Sequence, residues 1–121
     1  TYDLWVSQSI SKITWGVTMI NKHILIVMQW LDNHKSVSRE ELGYNSRDAM
    51  ASIYYGNGMD GYINWGRYHA TCAVAYFACA VSHSASKPSD YYVVRDSVNM
   101  YFYDTGEDKQ DYLDHLENRD A

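Results

Sequence analysis

Apolar positions between residues 10 and 31 keep a seven-residue beat. Ile10, Ile13, Val17, Ile20, Ile24, Val27 and Leu31 are spaced alternately three and four apart. That spacing puts all seven on one side of an α-helix. It predicts a rod about 33 Å long at about 1.5 Å per residue. Ahead of it, Tyr2, Leu4 and Val6 alternate with Asp3, Trp5 and Ser7, the period-two signature of a short strand. Ser7 or Ser9 is the expected cap of the rod, and Asp32-Asn33-His34 its expected end.

Ser38-Arg39-Glu40-Glu41 has the form of a capping box, in which a hydroxyl and a carboxylate exchange hydrogen bonds with first-turn amides. Leu42-Gly43 is expected to stop that turn early, and Asn45 to cap a second helix over residues 49–55. Gly56-Asn57-Gly58 and Asp60-Gly61 are tight punctuation. From residue 62 to about 84 the pattern is helical and apolar on nearly every side, which belongs inside a protein. Ala70, Ala73, Ala75, Ala78 and Ala80 leave room there for close neighbours, and Lys87-Pro88 ends the segment.

The last third changes character. Tyr91, Tyr92, Val93 and Val94 form a β-rich run, and Val98 to Tyr103 another, with Arg95-Asp96-Ser97 between them. This reads as a hairpin. Thr105 then caps a short acidic helix that turns Tyr112, Leu113 and Leu116 inward. The order β-α-α-α-β-β-α predicts a single α+β domain over residues 1–121. In it a small antiparallel sheet of about three strands packs with two long helices and shorter ones.

Composition agrees with one folded unit. The chain has 121 residues, 46% hydrophobic and 21% charged, enough to bury a core and too apolar for disorder. Twelve Tyr and four Trp stand out, because Tyr buries a large ring while keeping a hydroxyl for water or a partner. A formal charge of −5 disfavours a nucleic-acid partner, which needs a basic face. No two of the ten basic residues are adjacent, so a polybasic lipid patch is also missing. No apolar run reaches the length of a spanning helix.

Candidate chemistry concentrates on the central helix. Tyr62, Trp65, His69, Cys72, Tyr76, Cys79 and His83 recur at alternating three- and four-residue steps and so share one stripe. Two imidazoles and two thiols on one face invite a metal reading, but His69 and His83 stand about 21 Å apart along a helix. Only His69 with Cys72, or Cys79 with His83, could each lend two ligands. We therefore assign no metal, cofactor or catalytic residues. The alternative is a core helix whose stripe faces packing neighbours or a partner chain. Cys72 and Cys79 lie about 10 Å apart on a straight helix, beyond the roughly 7 Å reach of a disulfide. They are then free thiols or reach another chain, and in an oxidising compartment an inter-subunit disulfide is natural. Ser82-His83-Ser84 puts hydroxyls beside an imidazole, yet adjacent helical residues face different ways. The amphipathic segment at residues 10–31 carries Trp15 and Trp30 near its ends, which suits a bilayer interface. In that reading Ile20, Ile24, Val27 and Leu31 face a membrane; in the other they fill a core.

A start without Met, isolated basic residues, abundant Tyr, Ser, Asn and Asp and an even pair of Cys together resemble secreted fungal proteins cut from precursors at dibasic sites. The helix-plus-antiparallel-sheet order is similar to the α/β sandwich subunits of yeast and smut killer toxins. The resemblance implies a secreted, non-enzymatic toxin-like or effector-like subunit without a cofactor, working with a partner chain and acting on a target membrane. Two other readings stay open: a small hydrolase or nuclease with a site assembled across the fold, and an intracellular interaction or immunity module.

Overall fold

Asn21 decides where the first helix among the described residues begins. Its backbone is extended, at φ −80° and ψ 107°, and its side chain accepts a hydrogen bond from the His23 amide, the geometry of an N-cap. Helix α1 therefore runs Lys22–Asp32. The continuous rod expected from residue 10 is interrupted here, because a capping amide competes for the first-turn N–H groups.

The structure, a computed structural model, describes residues 20–55, 65–84 and 90–119, and its elements are all helices. After α1 come α2 (Arg39–Tyr55), α3 (Trp65–Ser84), α4 (Tyr91–Thr105) and α5 (Lys109–Arg119). The strand expected at residues 2–6, the rod's first ten residues and Tyr62 lie outside the described residues.

The α+β expectation is corrected: among the described residues there is no sheet. The supposed hairpin is one helix. Val94, Val98, Tyr101 and Phe102 are all buried, a spacing of four, three and one that suits a helix face and not a strand. Packing of that face against α3 outweighs the strand preference of the Tyr-Tyr-Val-Val run. Gly106 ends α4 in the left-handed region, at φ 72°, and its N–H reaches the Phe102 carbonyl at 2.9 Å. Thr105 belongs to α4, not to the start of α5. The cap there is Asp108, whose carboxylate accepts from the Gln110 amide at 2.9 Å.

The capping box holds, with the Glu41 amide donating to Ser38 Oγ at 3.1 Å and the Ser38 amide to Glu41 Oε1 at 3.3 Å. The helix it opens does not stop at Leu42-Gly43 but continues to Tyr55. Leu42, Asn45 and Ala49 are buried along it, one inward stripe that carries the helix past the glycine. Helix α3 packs against α1, α2 and α4, burying Thr71, Val74, Ala75 and Ala78. Small side chains at those positions let three neighbours approach. Ile24 and Val27 of α1 sit fully in the core, with Ile20 and Leu31 packed against it. From α5, Tyr112 and Leu116 join the core, while Leu113 is exposed.

Candidate functional site

Polar side chains from α3, α4 and α5 converge on Glu107, in the loop between α4 and α5. Its Oε2 accepts from the Tyr101 hydroxyl at 2.8 Å and pairs with Arg67 Nε at 3.1 Å. Its Oε1 accepts from the Tyr112 hydroxyl. Asn21 stands on the far side of both tyrosines. Its backbone N–H donates to Tyr112 Oη at 2.8 Å, and its Nδ2 to Tyr101 Oη and Thr71 Oγ1, each at 3.0 Å. The Thr71 hydroxyl in turn donates to the Arg67 carbonyl at 2.8 Å. The chain of donors runs from Asn21 through the two phenols to Glu107 and through Thr71 to a backbone carbonyl, and no buried side-chain polar atom among the described residues lacks a partner.

The surroundings fix the protonation of this knot. Burial pushes the Tyr101 phenol up to about 12, with the Glu107 charge adding to the effect. Burial raises Tyr112 as well, again reinforced by its neighbours Tyr101 and Glu107. Burial works against the Arg67 charge, but the oxygens of Tyr101 and Glu107 outweigh it and raise its pKa. Both phenols therefore stay protonated, and each carboxylate oxygen is occupied. The knot ties α1, α3, α4 and α5 together with its donors and acceptors in use.

A second buried pair joins α1 to α2. Asn45 Nδ2 donates to the His23 carbonyl at 3.1 Å, which leaves its Oδ1 to face His23 Nδ1 at 2.8 Å. That orientation makes Nδ1 the protonated nitrogen. Burial lowers the pKa of His23, so the neutral ring is the native form.

The outside of α4 is as unusual as the inside. Tyr92, Val93, Met100 and Tyr103 are 58%, 49%, 56% and 85% exposed. At about 100° per residue they occupy a single arc of roughly 100°, opposite the face that holds Val94, Val98 and Tyr101. Scattered exposed apolar residues are ordinary, but these four share one arc, Tyr92 beside Val93 and, two turns on, Met100 beside Tyr103. Asp96 lies within the arc and Asp104 along its edge. Arg95 lies outside it, with its guanidinium carbon 5.4 Å from the Tyr92 ring centroid.

The residues singled out from sequence fall elsewhere. His69, Tyr76 and His83 are exposed on the outer side of α3, with Tyr76 at 59%, so the stripe expected to hide from solvent turns largely outward. Trp65 opens α3. Both cysteines are half-buried and free, so the chain holds no disulfide-bonded pair. Burial pushes the Cys72 thiol up, away from thiolate chemistry. Cys79 Sγ lies 4.0 Å from His83 Nδ1, but that nitrogen is closer to the Cys79 carbonyl, at 2.9 Å, and serves as its donor. Among the described residues no group of three or more His, Cys, Asp or Glu could hold a metal ion. No helix among them is long and apolar enough to cross a membrane. The sequence pattern carries no sign of the knot: Glu107 lies in the acidic segment that follows Thr105, and Tyr101 in the run that reads as a strand. With the sheet replaced by helices, the layout that suggested a toxin subunit lends that reading no support.

No family model, curated protein or solved structure matches the chain.

Proposed function

We propose that this chain is a helical protein-interaction module that works with a second protein chain docked along the outer face of α4. The carrying observation is the arc of Tyr92, Val93, Met100 and Tyr103, which sets large apolar side chains in water on the face opposite the core. Tyr and Met are the kinds of side chain that concentrate in the centres of protein interfaces, where a few anchors supply most of the binding energy. The interior supports binding over turnover. Among the described residues, its buried polar side-chain atoms are engaged with partners inside the fold.

A photoreactive phenylalanine analogue at Tyr103, compared with one at Tyr44 on α2, tests the reading in extracts of the source cells. Both positions are exposed, so only a specific face distinguishes them. The expected result is one discrete protein adduct from the Tyr103 position, lost when Met100 is changed to Gln, and none from Tyr44. Identical adduct patterns from the two positions, or none from either, would contradict it.

A further inference from the structure

We infer that the partner presents a cationic amphipathic helix to α4, an inference that rests on the docking reading above. The first argument is shape. The patch from Tyr92 to Tyr103 is a ridge about 16 Å long on a helix surface. Among the described residues there is no strand edge that an extended peptide could prolong. A ridge of side chains packs best into the groove of another helix, whose apolar residues recur at three- and four-residue steps.

The second argument is charge. From Asp90 to Asp120 the chain carries nine Asp and Glu residues against three Lys and Arg, although the whole chain is only −5. The negative charge of the protein is thus concentrated in α4, α5 and their flanks. Asp96 sits inside the apolar arc and Asp104 beside it. Asp108, Asp114 and Glu117 are exposed on or just before α5, whose start adjoins α4 through the Lys109 Nζ to Asn99 Oδ1 hydrogen bond at 3.1 Å. Of the three basic residues, Arg95 lies over Tyr92 and Lys109 is turned to Asn99. A basic helix would meet Asp96 and Asp104 as it covers the four apolar side chains.

The same charges weigh against a second copy of this chain. A parallel two-fold pairing through α4 would set each copy's Asp96 and Asp104 near their counterparts across a desolvated interface. Opposite charge favours association and speeds encounter, whereas like charge rejects it.

The test uses the intact chain and two labelled synthetic peptides about 18 residues long, or five helical turns. Both carry Leu on one face; one has Lys on the other face and its counterpart Glu. Fluorescence anisotropy should show binding of the Lys peptide, weakened about tenfold or more by high salt, and no binding of the Glu peptide. Combining Asp96→Lys with Asp104→Lys should move the preference to the Glu peptide, with helical circular dichroism unchanged because both sites are exposed. Equal binding of both peptides, or a preference that charge reversal does not move, overturns the cationic partner and leaves the docking face standing. So does binding of neither peptide while the Tyr103 crosslink persists, or a concentration-dependent dimer that Tyr103→Gln dissolves. Failure of the crosslink as well removes the docking face itself.

Discussion

Tyr101 and Tyr103 stand two residues apart on α4 and live in opposite worlds. Tyr101 is fully buried, and its hydroxyl touches Asn21, Arg67 and Glu107. Tyr103 is 85% exposed, the most exposed large hydrophobic residue among those described. The inner face of the helix is where the protein hides polar chemistry, and the outer face is where it displays apolar surface. Each arrangement is costly alone, since buried polar groups need full partnering and exposed apolar ones attract association. The inner cost is met within the chain, by a closed set of hydrogen bonds. The outer cost has no counterpart among the described residues, which is why we assign stability to one face and binding to the other.

The sharpest way to break that division is Glu107→Ala. It removes the acceptor for two buried phenols and the partner of Arg67. Urea unfolding should show a loss of about 3–5 kcal/mol, the usual cost of orphaning one half of a buried ion pair. A loss below about 1 kcal/mol would mean the knot is dispensable. Next comes Asn21→Ala. It deletes the cap of α1, worth about 1 kcal/mol, and leaves Tyr101 and Thr71 short of a donor, for a total near 2–3 kcal/mol.

Raising the pH attacks the same knot from its acid side. Tyr101 and Tyr112 have folded pKa values above the ordinary 10, so the stability they contribute is present below pH 10. It is lost as pH climbs toward about 12. Absorbance at the phenolate band should show Tyr101 and Tyr112 ionising only with unfolding. Lowering the pH tests the α1–α2 pair, with the opposite sign. The folded pKa of His23 is below its unfolded value of 6.5, so the unfolded chain binds the proton first. Stability contributed there is intact above about pH 6.5 and falls as pH drops toward the folded value, by at most about 1.4 kcal/mol per unit. In His23→Gln the part of the acid slope that starts near pH 6.5 should disappear.

How much of this was legible beforehand depends on which interaction fixed each element. The capping box at Ser38 is local, needing only residues three apart, and it was readable outright. The buried beat of Ile24, Val27 and Leu31 was readable for the same reason. What failed was everything decided at a distance. Asn21 looked like one polar interruption in a heptad, yet it starts a helix because Tyr112, Tyr101 and Thr71, fifty to ninety-one residues away, hold its side chain and amide. A signal was present: Ile20 and Leu25 occupy the two positions of a hydrophobic staple around an Asn cap. In α4, strand propensity and helical spacing conflicted. The three- and four-residue steps of Val94, Val98 and Tyr101 carried the answer, because burial against α3 outweighs intrinsic preference. The knot itself left no spacing to read, since its members come from separate elements. On α3, apolarity on nearly all sides hid which face was inward, and the stripe of rings and sulfurs turned out to be largely the outer one.

One paired measurement on the double variant Met100→Gln with Tyr103→Gln separates the two faces most directly, with unfolding free energy and affinity for the Lys-bearing peptide read from the same preparation. If the outer face binds and the inner face holds the fold, stability stays within about 0.5 kcal/mol of the parent while affinity falls about tenfold or more. A variant that loses stability but keeps its affinity would contradict the division of α4 into a structural inside and a docking outside.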